Sequence, residues 1–310
     1  MKAAVMYETG KLPAYQDFAD PVPADGEELV EILAAGLHNV TRSQATGQHY
    51  ASHGRLPMIP GIDGVARRSD GSLTYCGGLR PPYGTFAERA AVSGFAMPIP
   101  AGADPAVVAA SLNPAGSSWM ALVLRAGLQQ GQTVAVLGAT GAAGRCALQA
   151  AKLLGAGRVI AIGRSASALT EIADRADQTV RIRDDTDWAN QVEGPVDIVL
   201  DYVWGDPAER LLSALSSGNH GTRLTWVQIG SMAGRTIPIA AELLRSSDLR
   251  LIGSGIGSAS MQDMAALLPT VIEHVASGRL QVDPVVRRLA DVEAAWVETV
   301  PTGSRMVFVP

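Results

Sequence analysis

The run Val134-Ala135-Val136-Leu137-Gly138-Ala139-Thr140-Gly141-Ala142-Ala143-Gly144 sets the strongest constraint on how this chain can fold. Apolar residues suited to a strand lead into three evenly spaced glycines, and an Ala-rich, helix-forming segment follows. Gly138 permits the tight turn. Gly141 lets the backbone come close to a bound group, and Gly144 lets helix and strand pack closely. A helix that opens at Ala142 directs its first unpaired N–H groups at whatever anion lies before it. Gly138, Ala139, Thr140, Gly141, Ala142, Ala143 and Gly144 are therefore expected to cradle a pyrophosphate.

Strand and helix patterns alternate on both sides of this turn. Strands are expected at 133–137, 158–162, 179–182 (weak), 196–200, 224–229 and 250–253. The helical segments between them run over 142–154, stopped by Gly155, then over 207–215 and 239–245. Such alternation implies a parallel sheet covered on both faces. The front of the chain reads differently. Strands are expected at 2–7, 27–37 and 84–92, tight turns over 57–82, and two helices at 105–112 and 115–125. The stretch 261–310 holds two helices and two strands. Its last strand, 305–309, is too short to stand alone and is expected to return to the N-terminal strands. A chain of 310 residues is too long for one ordinary core and fits two domains.

The second strand of the alternating region ends Ile160-Ala161-Ile162-Gly163-Arg164-Ser165. A site that prefers NAD places Asp or Glu there, on the ribose 2′-hydroxyl. Here Arg164 and Ser165 stand instead; a guanidinium pairs well with the 2′-phosphate of NADPH, the alternative being that Arg164 is a solvated surface arginine. Arg181 and Arg183 either add charge towards the same phosphate or are plain surface residues.

The formal net charge is −5 and no basic run tracks a phosphate backbone, so a nucleic-acid partner is not expected. No uninterrupted apolar run is long enough to span a membrane, and the first residues lack the apolar core of a signal peptide. Cys76 and Cys146 are far apart without metal-ligand spacing, which points to free thiols and a reducing, cytoplasmic setting.

Several segments together resemble the medium-chain dehydrogenase/reductase superfamily. They are Ala35-Gly36-Leu37-His38-Asn39, Leu56-Pro57-Met58-Ile59-Pro60-Gly61-Ile62-Asp63-Gly64, Gly84-Thr85-Phe86-Ala87-Glu88, Asn113-Pro114-Ala115-Gly116-Ser117-Ser118-Trp119, the glycine turn, Asp197–Asp201 and Gly303–Val307. The likeness spans nearly the whole chain and is strongest to the zinc-independent quinone oxidoreductases. It implies an α/β protein with a GroES-like β-barrel catalytic domain at 1–113, completed by 255–310. A Rossmann doubly wound parallel sheet at 114–254 would carry NADPH. It further implies a cleft between the domains for nicotinamide and substrate, and a homodimer joined through the last cofactor-domain strand. Zinc alcohol dehydrogenases carry Cys and Asp in the first catalytic loop and Gly-His-Glu after it. This chain has His38-Asn39-Val40-Thr41 and Gly61-Ile62-Asp63, and it lacks the four-cysteine lobe, so no metal is expected. Quinone reductases often place Asn where His38 stands, which puts Asn39 one position late, and their adenine-side Tyr is replaced by Ile182.

Without a metal to polarise a carbonyl, the better hydride acceptors are quinones and enones, whose incoming charge delocalises onto an oxygen. Tyr50, then His38 and Asn39, are the candidate donors to that oxygen, and Tyr50, Asp63 and Trp204 the candidate substrate contacts. Each has an alternative. Tyr50 could be a half-buried loop aromatic, His38 a structural histidine, Asp63 a brace for its glycine-rich loop and Trp204 simple packing. His49 and His53 read as exposed loop residues. Nicotinamide contacts are expected from loops at the carboxyl ends of strands: Val203 in Tyr202–Gly205, Gly230 and Ser231, and Ser254. Three functions remain open: quinone reduction, reduction of the double bond of an enone or alkenal, and a non-catalytic NADPH-binding redox sensor. A short-chain dehydrogenase is excluded by order, since Tyr7 and Lys11 precede the glycine turn.

Overall fold

A computed structural model describes residues 1–50, 52, 55–93, 96–184, 187–218 and 221–310. His53 lies outside them. The chain divides into two compact units, Met1–Asn113 with Leu268–Pro310, and Pro114–Leu267. The second division falls later than residue 255, inside a helix.

The first unit begins with a two-stranded antiparallel pair, β1 (Lys2–Val5) and β2 (Ala14–Asp17). Its main sheet contains β3 (Glu28–Gly36), β4 (Asp63–Arg67), β5 (Leu73–Gly77), β6 (Arg89–Val92) and β7 (Ala96–Pro98), with helix α1 (Asn39–Ala45) between β3 and β4. The helix α2 (Pro105–Met120) follows.

In the second unit the parallel strands are β8 (Thr133–Leu137), β9 (Arg158–Gly163), β10 (Gln178–Arg181), β11 (Ile198–Asp201), β12 (Leu224–Gln228) and β13 (Leu249–Gly253). Their order across the sheet is β10-β9-β8-β11-β12-β13. Helices α3 (Ala142–Leu153), α4 (Ala166–Glu171), α5 (Gly205–Gly218) and α6 (Ala241–Ser246) connect them. The chain closes with α7 (Met261–Ala276), β14 (Pro284–Arg288), α8 (Val292–Val297) and β15 (Arg305–Val309). β15 pairs antiparallel with β3 and parallel with β14, so the C-terminal strand completes the N-terminal sheet, in the order β14-β15-β3-β4-β5-β7.

The strand order of the second unit reverses direction between β8 and β11, which opens a crevice at their carboxyl ends. The four central strands are buried on both faces, whereas β10 and β13 are half-exposed edges. That difference explains why β10 carries only a weak apolar signal. The core joins Leu137, Ile160, Ile162, Val199 and Trp226 of the sheet to Leu211 and Leu215 of α5.

Two expectations need correction. The helices expected at 105–112 and 115–125 are one continuous segment, α2 running into a π-helical last turn at Ala121–Ala126. Pro114 sits inside α2 without ending it. The segment is buried along its length at Val108, Ala109, Leu112, Ala115 and Leu122, and tertiary packing outweighs the lost N–H bond. Pro105–Ala126 also meets the length and hydropathy of a membrane span, but 72% of that window is buried inside the protein. Between 57 and 82, where only turns are expected, β4 and β5 form a hairpin whose bend is Arg68–Ser72. Its strands are short and rich in small residues, so they lack a clear alternating signal.

The first unit's core centres on Phe86, which meets Phe308 of β15 edge-on at 5.0 Å and Trp296 of α8 at 6.2 Å. This cluster fastens the C-terminal elements to the N-terminal sheet. Phe86→Ala is expected to lower the unfolding free energy of this unit by about 3–5 kcal/mol, read as a fall in the urea midpoint. A change below about 1 kcal/mol would show that the cluster is not the fastening.

Candidate functional site

The glycine turn lies between β8 and α3. Gly138 has φ +92°, and a Cβ there would press against Val203 Cγ2 at 2.9 Å. At Gly144 a Cβ would overlap the Gly138 carbonyl oxygen and the Ala139 backbone. Both positions therefore require glycine for the fold itself. Gly141 is different. Its φ is −73°, and its nearest Cβ neighbour would be the Gly138 oxygen at 3.6 Å, an ordinary contact. The protein alone does not demand a glycine here, but a ligand pressed against the backbone would. Gly141 is also the N-cap of α3, and no side chain caps this helix start. Ala142, Ala143 and Gly144 thus open a helix whose first amides are available to an anion. Thr140 packs its methyl over Gly163 at the end of β9, which fixes the outer wall of the turn.

At the end of β9, Arg164 is exposed, and among the described residues its guanidinium has no hydrogen-bond or ion-pair partner. Arg181 lies beside it and donates from Nε to the Arg164 carbonyl at 3.2 Å. Ser165 caps α4 by accepting from Ala168 N, so its hydroxyl is already engaged. Arg183 is exposed. The residues fit a phosphate at this strand end: a free cation, a second one bracing it, and no carboxylate at the end of β9.

The loops after β11, β12 and β13 form the other side. Gly230 packs against the Tyr202 carbonyl, and Ala233 N donates to the Val203 carbonyl at 2.8 Å, so the β11 and β12 loops are knitted together. Ser231 is exposed. Ser254 is buried, and its Oγ has no hydrogen-bond partner among the described residues. An orphaned buried hydroxyl at a strand's carboxyl end suits a polar ligand. Trp204 is half-buried with φ +55°, a conformation rare for a large side chain.

Asp201, the last residue of β11, holds that conformation. Its Oδ1 accepts from Val203 N at 2.8 Å and Trp204 N at 2.9 Å, and its Oδ2 from Trp226 Nε1 at 3.1 Å. Burial pushes its carboxyl up to about 6, against the pull of the three N–H donors. Tyr202 is fixed by a 2.8 Å bond between its hydroxyl and Ser118 Oγ, and burial raises that phenol above its usual range. Sequence reasoning passed over Asp201 and Ser118. The signal for Asp201 was an acid ending an otherwise apolar strand.

In the first unit, Asp63 gathers the candidate residues. Its Oδ1 pairs with His38 Nε2 at 2.9 Å, and its Oδ2 accepts from Tyr75 OH and Asn113 Nδ2, each at 2.9 Å. Thr85 Oγ1 donates to its carbonyl at 2.7 Å. Asp63 is buried, with its carboxylate turned to these partners. Burial, reinforced by the Asp63 charge, raises the Tyr75 hydroxyl well above 10 and the Cys76 thiol to about 12. His38 is buried at the N-cap of α1, packed so closely on Gly36 that a Cβ there would lie 2.7 Å from Nε2. Its Nδ1 and the nearby Thr41 Oγ1 are buried without a hydrogen-bond partner among the described residues. Asn39, the next residue, is exposed. Tyr50 is 73% exposed rather than half-buried, and its ring stacks on His49 at 4.3 Å. His49 is itself half-buried rather than exposed.

No family model matches the chain. It is 30% identical to a protein of Emericella nidulans named "Probable NADPH-dependent quinone reductase", across 96% of each chain. The quinone oxidoreductase from Thermus thermophilus, whose crystal structures include a complex with NADPH, superposes with TM-score 0.83 at 27% identity over the full length of both chains. An alcohol dehydrogenase superfamily protein from Novosphingobium aromaticivorans shares the fold, with TM-score 0.84 at 23% identity over 100% of this chain and 99% of that one.

The contrast between two glycines gives a test. Gly144→Ala is expected to destabilise the protein by several kcal/mol, since only backbone atoms surround the new methyl. Gly141→Ala should leave the melting temperature nearly unchanged yet weaken NADPH binding by about tenfold or more. Unchanged binding in a folded Gly141→Ala variant would remove Gly141 from the site.

Proposed function

The chain belongs to the medium-chain dehydrogenase/reductase superfamily, on its quinone-oxidoreductase-like branch, and from that premise we propose that it is an NADPH-dependent, zinc-independent reductase of a quinone or similar conjugated carbonyl. The observation that carries the reading is Gly141, open on its Cβ side at an uncapped helix start. Gly138 to Gly144 hold the pyrophosphate, and Arg164, braced by Arg181, holds the 2′-phosphate, with Ser165 beside it. Val203, Gly230, Ser231 and Ser254 line the nicotinamide end. Bound in this way, NADPH supplies the hydride.

The chain's own groups orient the cofactor and offer donors to the acceptor oxygen. Tyr50 and Asn39 have the exposure for that role, whereas His38, buried with its Nε2 on Asp63, braces the start of α1, which carries Asn39. Asp63 serves by holding His38, and Trp204 offers a flat apolar wall. The zinc-independent reading is supported by the donor set. Asp63 is taken up by His38, Tyr75 and Asn113, and Cys76 is a buried, protonated thiol. The half-exposed edge strand β13, with Leu251 on it, supports a homodimer through the second unit, and the two buried free thiols suit a cytoplasmic setting.

Calorimetry with NADPH and NADH tests the assignment. Wild-type protein should prefer NADPH, and Arg164→Ala should lose about 2 kcal/mol of NADPH binding, roughly 30-fold, and approach its NADH affinity. Equal affinity for both nucleotides in the wild type would sink the 2′-phosphate assignment. A panel of quinones and enones with NADPH then separates the two acceptor classes. No turnover with any of them, despite tight binding, would favour a redox sensor.

A further inference from the structure

Burying a carboxylate away from any cation is costly, and folds generally avoid it. Asp201 is such a group, fully shielded from solvent at the carboxyl end of β11. The partners that face it donate N–H bonds: the Val203 and Trp204 backbones from its own loop and the Trp226 indole from β12. Its register neighbours are Leu137 on β8 and Gln228 on β12, neither of them ionisable. Tyr202, next in the chain, is a phenol kept neutral by burial, and Asp206 on α5 is exposed. No Lys, Arg or His pairs with Asp201 among the described residues, and burial with N–H donors alone accounts for its shifted carboxyl.

Backbone amides could be held by a neutral acceptor. An Asn in this position would still offer one oxygen to Val203 N and Trp204 N. What the carboxylate adds is a second acceptor, for Trp226 Nε1, and a negative charge set under the loop that the proposed function assigns to the nicotinamide end. The two redox forms of nicotinamide differ there in charge, since the oxidised ring is cationic and the reduced ring neutral. We propose that ionised Asp201 biases this site towards the oxidised, cationic nicotinamide while its hydrogen bonds fix the Tyr202–Gly205 loop, a role that rests on the NADPH reading above. For unit charges about 10 Å apart at an effective dielectric of about 20, the bias is on the order of tenfold in a binding ratio.

The test is a ratio of affinities. NADP⁺ and NADPH are each titrated into the full-length protein, as wild type and as Asp201→Asn, from pH 5 to pH 8. The 2′-phosphate titrates near pH 6 too, as a phosphate monoester does, to about the same extent in both nucleotides, and so cancels in the ratio. At pH 8 the Asn variant should show the ratio of Kd for NADP⁺ to Kd for NADPH raised about tenfold. In the wild type the same ratio should rise as the pH falls through about 6, where the carboxylate takes up a proton, and in Asp201→Asn it should stay flat. A purely structural role weakens both nucleotides equally, and an unchanged ratio in a folded variant overturns the proposal. If the variant does not fold, the wild-type series decides alone: a ratio constant from pH 5 to pH 8 overturns it. Failure of the wild type to bind either nucleotide at any pH overturns the cofactor reading itself, a result distinct from an unchanged ratio.

Discussion

The close seat of α3 on the end of β8 underlies the arrangement of the second unit. It exists because Gly144 presents no side chain to the Gly138 carbonyl, and because Gly138 adopts a backbone conformation that leaves Val203 room to pack above it. These two contacts fix the axis of α3, hence where its unpaired amides point, and they tie the turn after β8 to the loop after β11. That loop is in turn knitted to the loop after β12. The rim of the crevice is thus set by backbone packing before any ligand arrives, and little reorganisation is left to oppose binding.

Each unit is organised around one buried carboxylate, and the two solve the same problem differently. Asp63 draws side-chain donors from separate elements, His38 from the extended N-cap of α1, Asn113 from α2 and Tyr75 from β5. It positions a histidine. Asp201 draws mostly on backbone amides and positions a loop, holding Trp204 at a positive φ that a large residue otherwise avoids. In both cases several donors share one anion, so deleting the carboxylate strands more than one polar group at once.

The alternating strands and helices from 133 to 253 were legible in the sequence because central parallel strands are continuous apolar runs, and glycines punctuate them in register with the fold. The glycine turn was legible for the same reason. The hairpin of β4 and β5 was not, since its strands are short and carry Gly64, Ala66 and Cys76 in place of branched residues. The continuity of α2 through Pro114 was not legible either, because it rests on burial of the whole segment rather than on any local pattern. Among the candidate residues of each unit, Arg164 could be picked out by its position at a strand end, but the partnership of His38 with Asp63 joins residues 25 apart, and the hold of Asp201 on Trp204 and Trp226 depends on where β12 lies. Such contacts are set by tertiary register, which no local pattern encodes.

In the proposed function the uncapped start of α3 is a preformed pyrophosphate seat. A crystal structure of the protein with NADPH tests it most directly. Pyrophosphate oxygens are expected within about 3 Å of the amide nitrogens at the start of α3, against the open face of Gly141, with the main chain of Gly138–Gly144 unmoved. Pyrophosphate bound elsewhere, or a turn that must rebuild to receive it, would show that α3 is not a preformed seat.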